Sequence, residues 1–295
     1  VTAAAFRAGE RSVGLWAGQF RIEPAPVAEA AAHVEQLGFS ALWYPGGLRN
    51  AFAPAAVLLS ATRTLTVATG IVSIWATTPS ESAAGWASLE ERHPGRFVLG
   101  LGVSHGPAVE RAGLGHYAHP LQRMRDYLDT LDNDDTAPPS TARLIGALGP
   151  KMLRLAAERT LGTHPYLVTP DQTAGLREKI GPDARVLPEQ GVVLEADPTR
   201  ARALAREALA PYLELPNYVN SWLRAGFTGD DVADGGSDRL VDAVVAWGTD
   251  EQIASRVRAH HDAGADHVCL QVLGAGEGAI PVSAWRRLAQ ALNLS

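Results

Sequence analysis

The chain has 295 residues, with 26 basic against 32 acidic side chains and a formal net charge of -6. That balance offers no basic field for nucleic acid, whose binding neutralises many phosphates at once, and a hydrophobic content of 46% suits a chain that buries a sizeable core rather than a disordered one. The lone Cys269 cannot form an internal disulfide, no apolar run reaches the ~18 residues of a membrane span, and Val1 to Arg7 lacks a charged, then apolar leader pattern, so a cytoplasmic protein is expected.

In chain order, Arg11 to Ala17 predicts a strand and Pro24 to Leu37 a helix, with proline in the first turn, where a missing N–H costs nothing, and Gly38 at its end. Ala41 to Tyr44 is a second strand, closed by Pro45-Gly46-Gly47, and a helix follows near Ala53 to Thr62. Thr66 to Ser73 predicts a third strand, Ser80 to Glu91 a helix and Phe97 to Val103 a fourth strand. Arg143 to Ala147 reads as the fifth strand, before a helix from Lys151 to Leu161. Pro165 to Val168 reads as the sixth, before a helix near Gln172 to Lys179, and Gly191 to Leu194 as the seventh, before a helix from Thr199 to about Ala210. Residues 215–238, rich in Gly and Asp, read as an irregular insertion. Thr249 and Gln252 form a capping box that opens a helix from Asp250 to Ala263; His267 to Val272 is the eighth strand and Val282 to Leu292 a terminal helix. Eight alternating βα units predict an α/β fold, a TIM (β/α)8 barrel forming one domain over 1–295 with an insertion before the eighth strand.

Barrels of this kind carry their chemistry at the C-terminal ends of the strands. After the third strand, Gly70 marks a bulge or a close backbone approach. Gly100 and Gly102 in the fourth form G-x-G without the rest of a dinucleotide fingerprint; they are read as removing side chains where a flat ligand could lie, and they leave Ser104 and His105 at the strand end. A histidine there can titrate near neutrality and act as acid or base, although most lone histidines are structural. After the fifth strand, Ala147-Leu148-Gly149-Pro150-Lys151-Met152 places a proline-opened helix start beside one of only two lysines, an arrangement suited to an anion such as phosphate. Trp16, Trp43 and Trp75 stand near strand ends as candidate walls of a substrate pocket, with core packing as their plain alternative. His116 and His119, and the adjacent His260 and His261, lack metal-ligand companions, so no metal is expected. The acid pairs Asp134-Asp135 and Asp230-Asp231 read as solvated loop charges.

Taken together, Phe39 to Trp43, Ala68 to Val72, Pro94 to Gly102, Leu148 to Met152, Gly248 to Ile253 and Ala263 to His267, in that order, resemble the bacterial luciferase-like superfamily, and within it the actinobacterial oxidoreductases that use the deazaflavin coenzyme F-420. The resemblance implies a TIM barrel, a homodimer, a small-molecule substrate and a deazaflavin at the C-terminal mouth. It further implies a non-proline cis peptide at Gly70-Ile71 behind the deazaflavin ring, with Ser104, His105 and Ala147 to Met152 along the coenzyme's chain and phosphate. The sugar-phosphate dehydrogenases of the superfamily carry a histidine at the end of strand two, where this chain has Tyr44-Pro45-Gly46-Gly47, so their substrate does not transfer. An FMN-dependent monooxygenase, a non-catalytic flavin- or deazaflavin-binding barrel, and an unrelated barrel enzyme for a phosphorylated substrate are the alternatives.

Overall fold

The β-branched runs become parallel strands, and the alanine- and leucine-rich segments become helices packed around them. The computed structural model describes residues 3–7, 9–18, 24–48, 51–276 and 279–294; part of the chain start read above for a leader, Val1 and Thr2, lies outside them. The strands are β1 (Ser12–Trp16), β2 (Ala41–Tyr44), β3 (Thr66–Thr69), β4 (Val72–Ser73), β5 (Phe97–Gly102), β6 (Arg143–Ile145), β7 (Gly162–Thr163), β8 (Arg185–Val186), β9 (Glu189–Val193), β10 (Ala246–Trp247) and β11 (His267–Val272). Their order is β10-β9-β11-β1-β2-β3-β5-β6-β7-β8, with β4 on β5. Only Leu187-Pro188 separates β8 from β9, and this stretch bonds to both sides: Leu187 N–H donates to Thr163 O at 3.0 Å, and Pro188 O accepts from Cys269 N–H at 2.9 Å. The two ends of the sheet thus meet, and the barrel closes with β3–β4 and β8–β9 each acting as one interrupted strand.

Alternation along parallel strands separates two apolar layers. One lies between sheet and helices and holds Leu15, Leu42, Val67, Leu99 and Leu270. The other fills the lumen with Trp43, Ala68, Val98, Leu144, Leu187 and Cys269, closed at its base by Phe6. Proline in the first turn opens the helices Pro79–Arg92, Pro150–Arg159, Pro170–Ile180 and Pro198–Leu213, and the Thr249–Gln252 capping box is present.

Four expectations are corrected. The sixth strand is β7, not Pro165 to Val168: Pro165 has no N–H to give the ladder, and the chain turns away at Leu167, whose φ is 55°. The third strand is broken between Thr69 and Val72. Residues 215–238 are not irregular, because they hold the helices Pro216–Arg224 and Gly229–Val232. Asp231 is no solvated charge; it is buried and closes a capping box on Thr228, while Ser237 Oγ donates to it at 2.7 Å.

On the outer face of the barrel, His260 of the helix Asp250–Asp262 is fully buried. Gln190 uses its amide N–H groups on Gly191 O and Val244 O, which leaves its Oε1 to accept from His260 Nε2 at 2.9 Å, while Nδ1 accepts from the Thr173 hydroxyl. The ring is therefore neutral, and burial pushes its pKa down to about 3. A histidine with a depressed folded pKa makes stability fall as the pH drops below the unfolded value of ~6.5. From pH 7 to pH 5, His260 is expected to cost the fold about 2 kcal/mol. In urea unfolding, His260→Gln should show that much less destabilisation over the same interval; an unchanged interval would refute the assignment.

Candidate active site

The rim is shaped by the break in the third strand. Thr69 Oγ1 donates to Gly100 O at 3.0 Å and accepts from Gly100 N–H at 2.8 Å, so β3 and β5 lie in such close contact that a β-carbon on Gly100 would overlap the Thr69 carbonyl oxygen. The next peptide, Gly70-Ile71, is cis. Ile71 then lays its side chain where β-carbons would stand on the following strands: one on Gly102 would meet Ile71 Cδ1 at 2.5 Å, and one on Gly146 would meet Cγ2 at 3.1 Å. The reading of Gly100 and Gly102 as space for a ligand is thus corrected, because they make room for Thr69 and Ile71. The unusual end of strand two braces the same segment. Gly47 N–H donates to Ile71 O at 3.0 Å, Ser73 N–H donates to Gly47 O at 3.2 Å, and a β-carbon on Gly46 would stand 2.7 Å from Val72 Cγ2.

On the lumen side, a β-carbon on Gly70 would stand 2.8 Å from Trp16 Nε1 and 3.0 Å from His164 Nε2, and neither nitrogen has a hydrogen-bond partner among the described residues. His164 Nδ1 donates to Leu187 O at 2.7 Å, which leaves Nε2 as a bare acceptor. Burial pushes this histidine down to about 4, so it is neutral. Trp43, expected as a pocket wall, is instead wholly buried: it stacks on His164 at 4.2 Å and donates from Nε1 to His267. Trp16 is half-buried on the rim, its ring 6.0 Å from that of Tyr166. Trp75 is half-buried too, with Tyr117 against it and the Arg123 guanidinium 3.9 Å from its ring centre.

Ser104 takes a left-handed conformation, φ 57°, and its carbonyl accepts from Tyr117 Oη at 3.4 Å. That turn sets His105 at the start of the short helix Gly106–Arg111. Its ring lies 5.6 Å from that of Tyr218, and its Nδ1 is buried without a partner among the described residues. Burial lowers the His105 pKa and a hydrogen bond that the ring donates to the Asn217 side chain opposes this, so the ring is neutral near pH 7 and suited to accepting a proton. Across the rim, Gly149 caps the helix Pro150–Arg159 with no side chain on the free amides, and the space beside its α-carbon is open. Lys151 is exposed, Met152 half-buried and Ala147 buried, while Arg224 donates to Leu148 O at 3.3 Å.

The sequence reading missed Arg224, His164, Glu189 and the tyrosines. Tyr166 Oη donates to Gln271 Oε1 at 2.6 Å and Tyr212 Oη to Tyr166 Oη at 3.2 Å, and Tyr218 stands edge-on to Tyr212 at 5.0 Å. Glu189 carried a usable signal, an acid at the start of a buried strand; the tyrosines and Arg224 reach the rim from elements far apart in sequence. Among the described residues, no helix is long and apolar enough to cross a membrane.

A model of the luciferase-like monooxygenase family matches residues 4–133 and 135–267. The chain belongs to that family. Among luciferase-like relatives, a proposed coenzyme F420-dependent oxidoreductase of Mycobacterium tuberculosis is 28% identical over 225 residues, and the match covers 73% of this chain and 59% of that protein. The coenzyme F420-dependent tetrahydromethanopterin reductase of Methanopyrus kandleri superposes with a TM-score of 0.78 at 16% identity, covering 97% of this chain and 99% of that one. The oxygenating constituent of 3,6-diketocamphane monooxygenase of Pseudomonas putida, solved with FMN, gives a TM-score of 0.70 at 14% identity, covering 95% and 97%.

The glycines on the rim separate packing from binding. Gly100→Ala sets a β-carbon against a carbonyl and is expected to cost about 3 kcal/mol, whereas Gly149→Ala meets nothing within 4 Å and should cost under about 1 kcal/mol. Urea unfolding of the two variants checks this; equal losses would contradict the packing assigned to Gly100.

Proposed function

We propose that the chain is a coenzyme F-420-dependent oxidoreductase that moves a hydride between the deazaflavin and a small organic substrate. The observation that carries this reading is the pairing, on one rim, of the apolar Ile71 wall with the uncapped helix start at Gly149, which suits a flat ring with a phosphate-bearing tail. The name of the M. tuberculosis relative supports it. The N–H groups of Gly149, Lys151 and Met152 would hold the phosphate at the positive end of the helix, with Lys151 and Arg224 as counter-charges. The bound deazaflavin supplies the hydride. Ile71 and Gly70 would orient the ring, Ser104 would line its chain, and His105, neutral, would take a proton at Nδ1. Trp16, Trp75 and the tyrosines would bound the substrate. A homodimer, a cytoplasmic setting and one domain over 1–295 with 215–238 as an insertion go with this reading.

The P. putida structure with FMN favours a second reading, an FMN-dependent monooxygenase. Fluorescence titration of the purified protein with F-420 and, separately, FMN distinguishes them. The expected result is saturable binding of F-420, weakened about tenfold by Lys151→Ala, equivalent to ~1.4 kcal/mol, with no retention of FMN. Tight FMN binding without F-420 binding would reverse the assignment.

A further inference from the structure

Glu189 lies on the lumen side of β9 and is wholly buried. Its Oε2 accepts from Leu167 N–H at 3.2 Å, and its Oε1 has no partner among the described residues. The titratable groups that face it are the Tyr166 and Tyr218 phenols and the Cys269 thiol, all held protonated by burial; among the described residues, no cation stands against it. An ionised carboxylate with one long hydrogen bond in such a place would cost several kcal/mol. Protonation removes that cost, and with Oε2 already accepting, the proton belongs on Oε1. Burial pushes this carboxyl up to about 8.

A buried donor without an acceptor needs an explanation, and its position suggests one. Glu189 N–H donates to Pro165 O at 2.9 Å, which sets the residue beside Tyr166, under the rings that connect Trp16 to Tyr218 and His105 at centroid spacings of 6.0, 6.2 and 5.6 Å. Among the described residues, Trp16 Nε1 and His164 Nε2 have no partner in the same end of the lumen. We propose that Glu189 is a neutral acid at the floor of the substrate pocket, that Oε1–H donates to a carbonyl oxygen of the substrate, and that it supplies the proton when that carbonyl is reduced. This rests on the oxidoreductase reading above. The substrate carbon takes the hydride carried by the reduced deazaflavin, the C=O π pair moves to oxygen, the Glu189 O–H bond breaks as the new O–H bond forms, and solvent returns a proton to the carboxylate.

Infrared spectroscopy of the whole protein tests the assignment without the coenzyme. The carbonyl stretch of a protonated carboxylic acid is expected at neutral pH, to disappear with a midpoint near 8, to shift with ¹³C-glutamate labelling and to be missing in Glu189→Gln. Saturating cyclohexanone, the carbonyl probe, should move the band to lower frequency as Oε1–H gains an acceptor. A spectrum without the band, a band that survives in Glu189→Gln, or one that cyclohexanone leaves in place would overturn the proposal. The isotope shift assigns the band to glutamate even if the variant does not fold. F-420 titration in parallel keeps the two readings apart: failure to bind F-420 with the band shift intact defeats the oxidoreductase reading and leaves the carbonyl site standing.

Discussion

The rim depends on a steric constraint: Thr69 and Ile71 occupy volume that any side chain on Gly100 or Gly102 would need. With those β-carbons missing, Thr69 at the end of β3 can hydrogen-bond to Gly100, the segment after it can hydrogen-bond to Gly47, and Ile71 can project over the ends of β5 and β6. A larger residue at Gly46, Gly100 or Gly102 would push the segment outward and take the wall of the site with it. This ties Gly46 and Gly47, at the end of strand two, to the same packing.

Below that wall the lumen changes character. Toward its base, Phe6 and Trp43 pack around a buried His267 whose two ring nitrogens are both hydrogen-bonded, whereas toward the rim the Trp16 indole, the His164 imidazole and the Glu189 carboxyl each keep an atom with no partner among the described residues. Burial keeps these groups neutral: histidine pKa values are pressed down, and those of carboxyl and phenol groups are pushed up. Neutral groups retain directional donors and acceptors without the solvation cost of charge, an arrangement that suits an uncharged polar substrate. Charge on this rim stands instead at Lys151 and Arg224, beside the helix start that suits phosphate.

Much of this was legible in the sequence, and the rest was hidden for physical reasons. Short β-branched apolar runs and period-3.6 patterning located the strands from β1 to β6, β9, β11 and most of the helices, because burial on both sheet faces makes a strand a near-continuous apolar run. It failed at β7, where Gly162-Thr163 is too short to have a period and the apolar Tyr166-Leu167-Val168 nearby looked more like a strand. The helix Pro216–Arg224 was hidden by the glycines and acids that follow it. In the site, glycine spacing marked where close approach occurs but not what approaches, so the volume taken by the Thr69 carbonyl and the Ile71 side chain was mistaken for ligand space. Residues from distant elements, such as Tyr218, Arg224 and Glu189, meet only through closure of the barrel, which local patterning does not encode.

A crystal structure of the protein with bound F-420 tests the central claim most directly. The account predicts the deazaflavin ring against Gly70 and Ile71 and the phosphate on the amides of Gly149 to Met152. A ring bound elsewhere on the barrel, or a phosphate held away from that helix start, would contradict it.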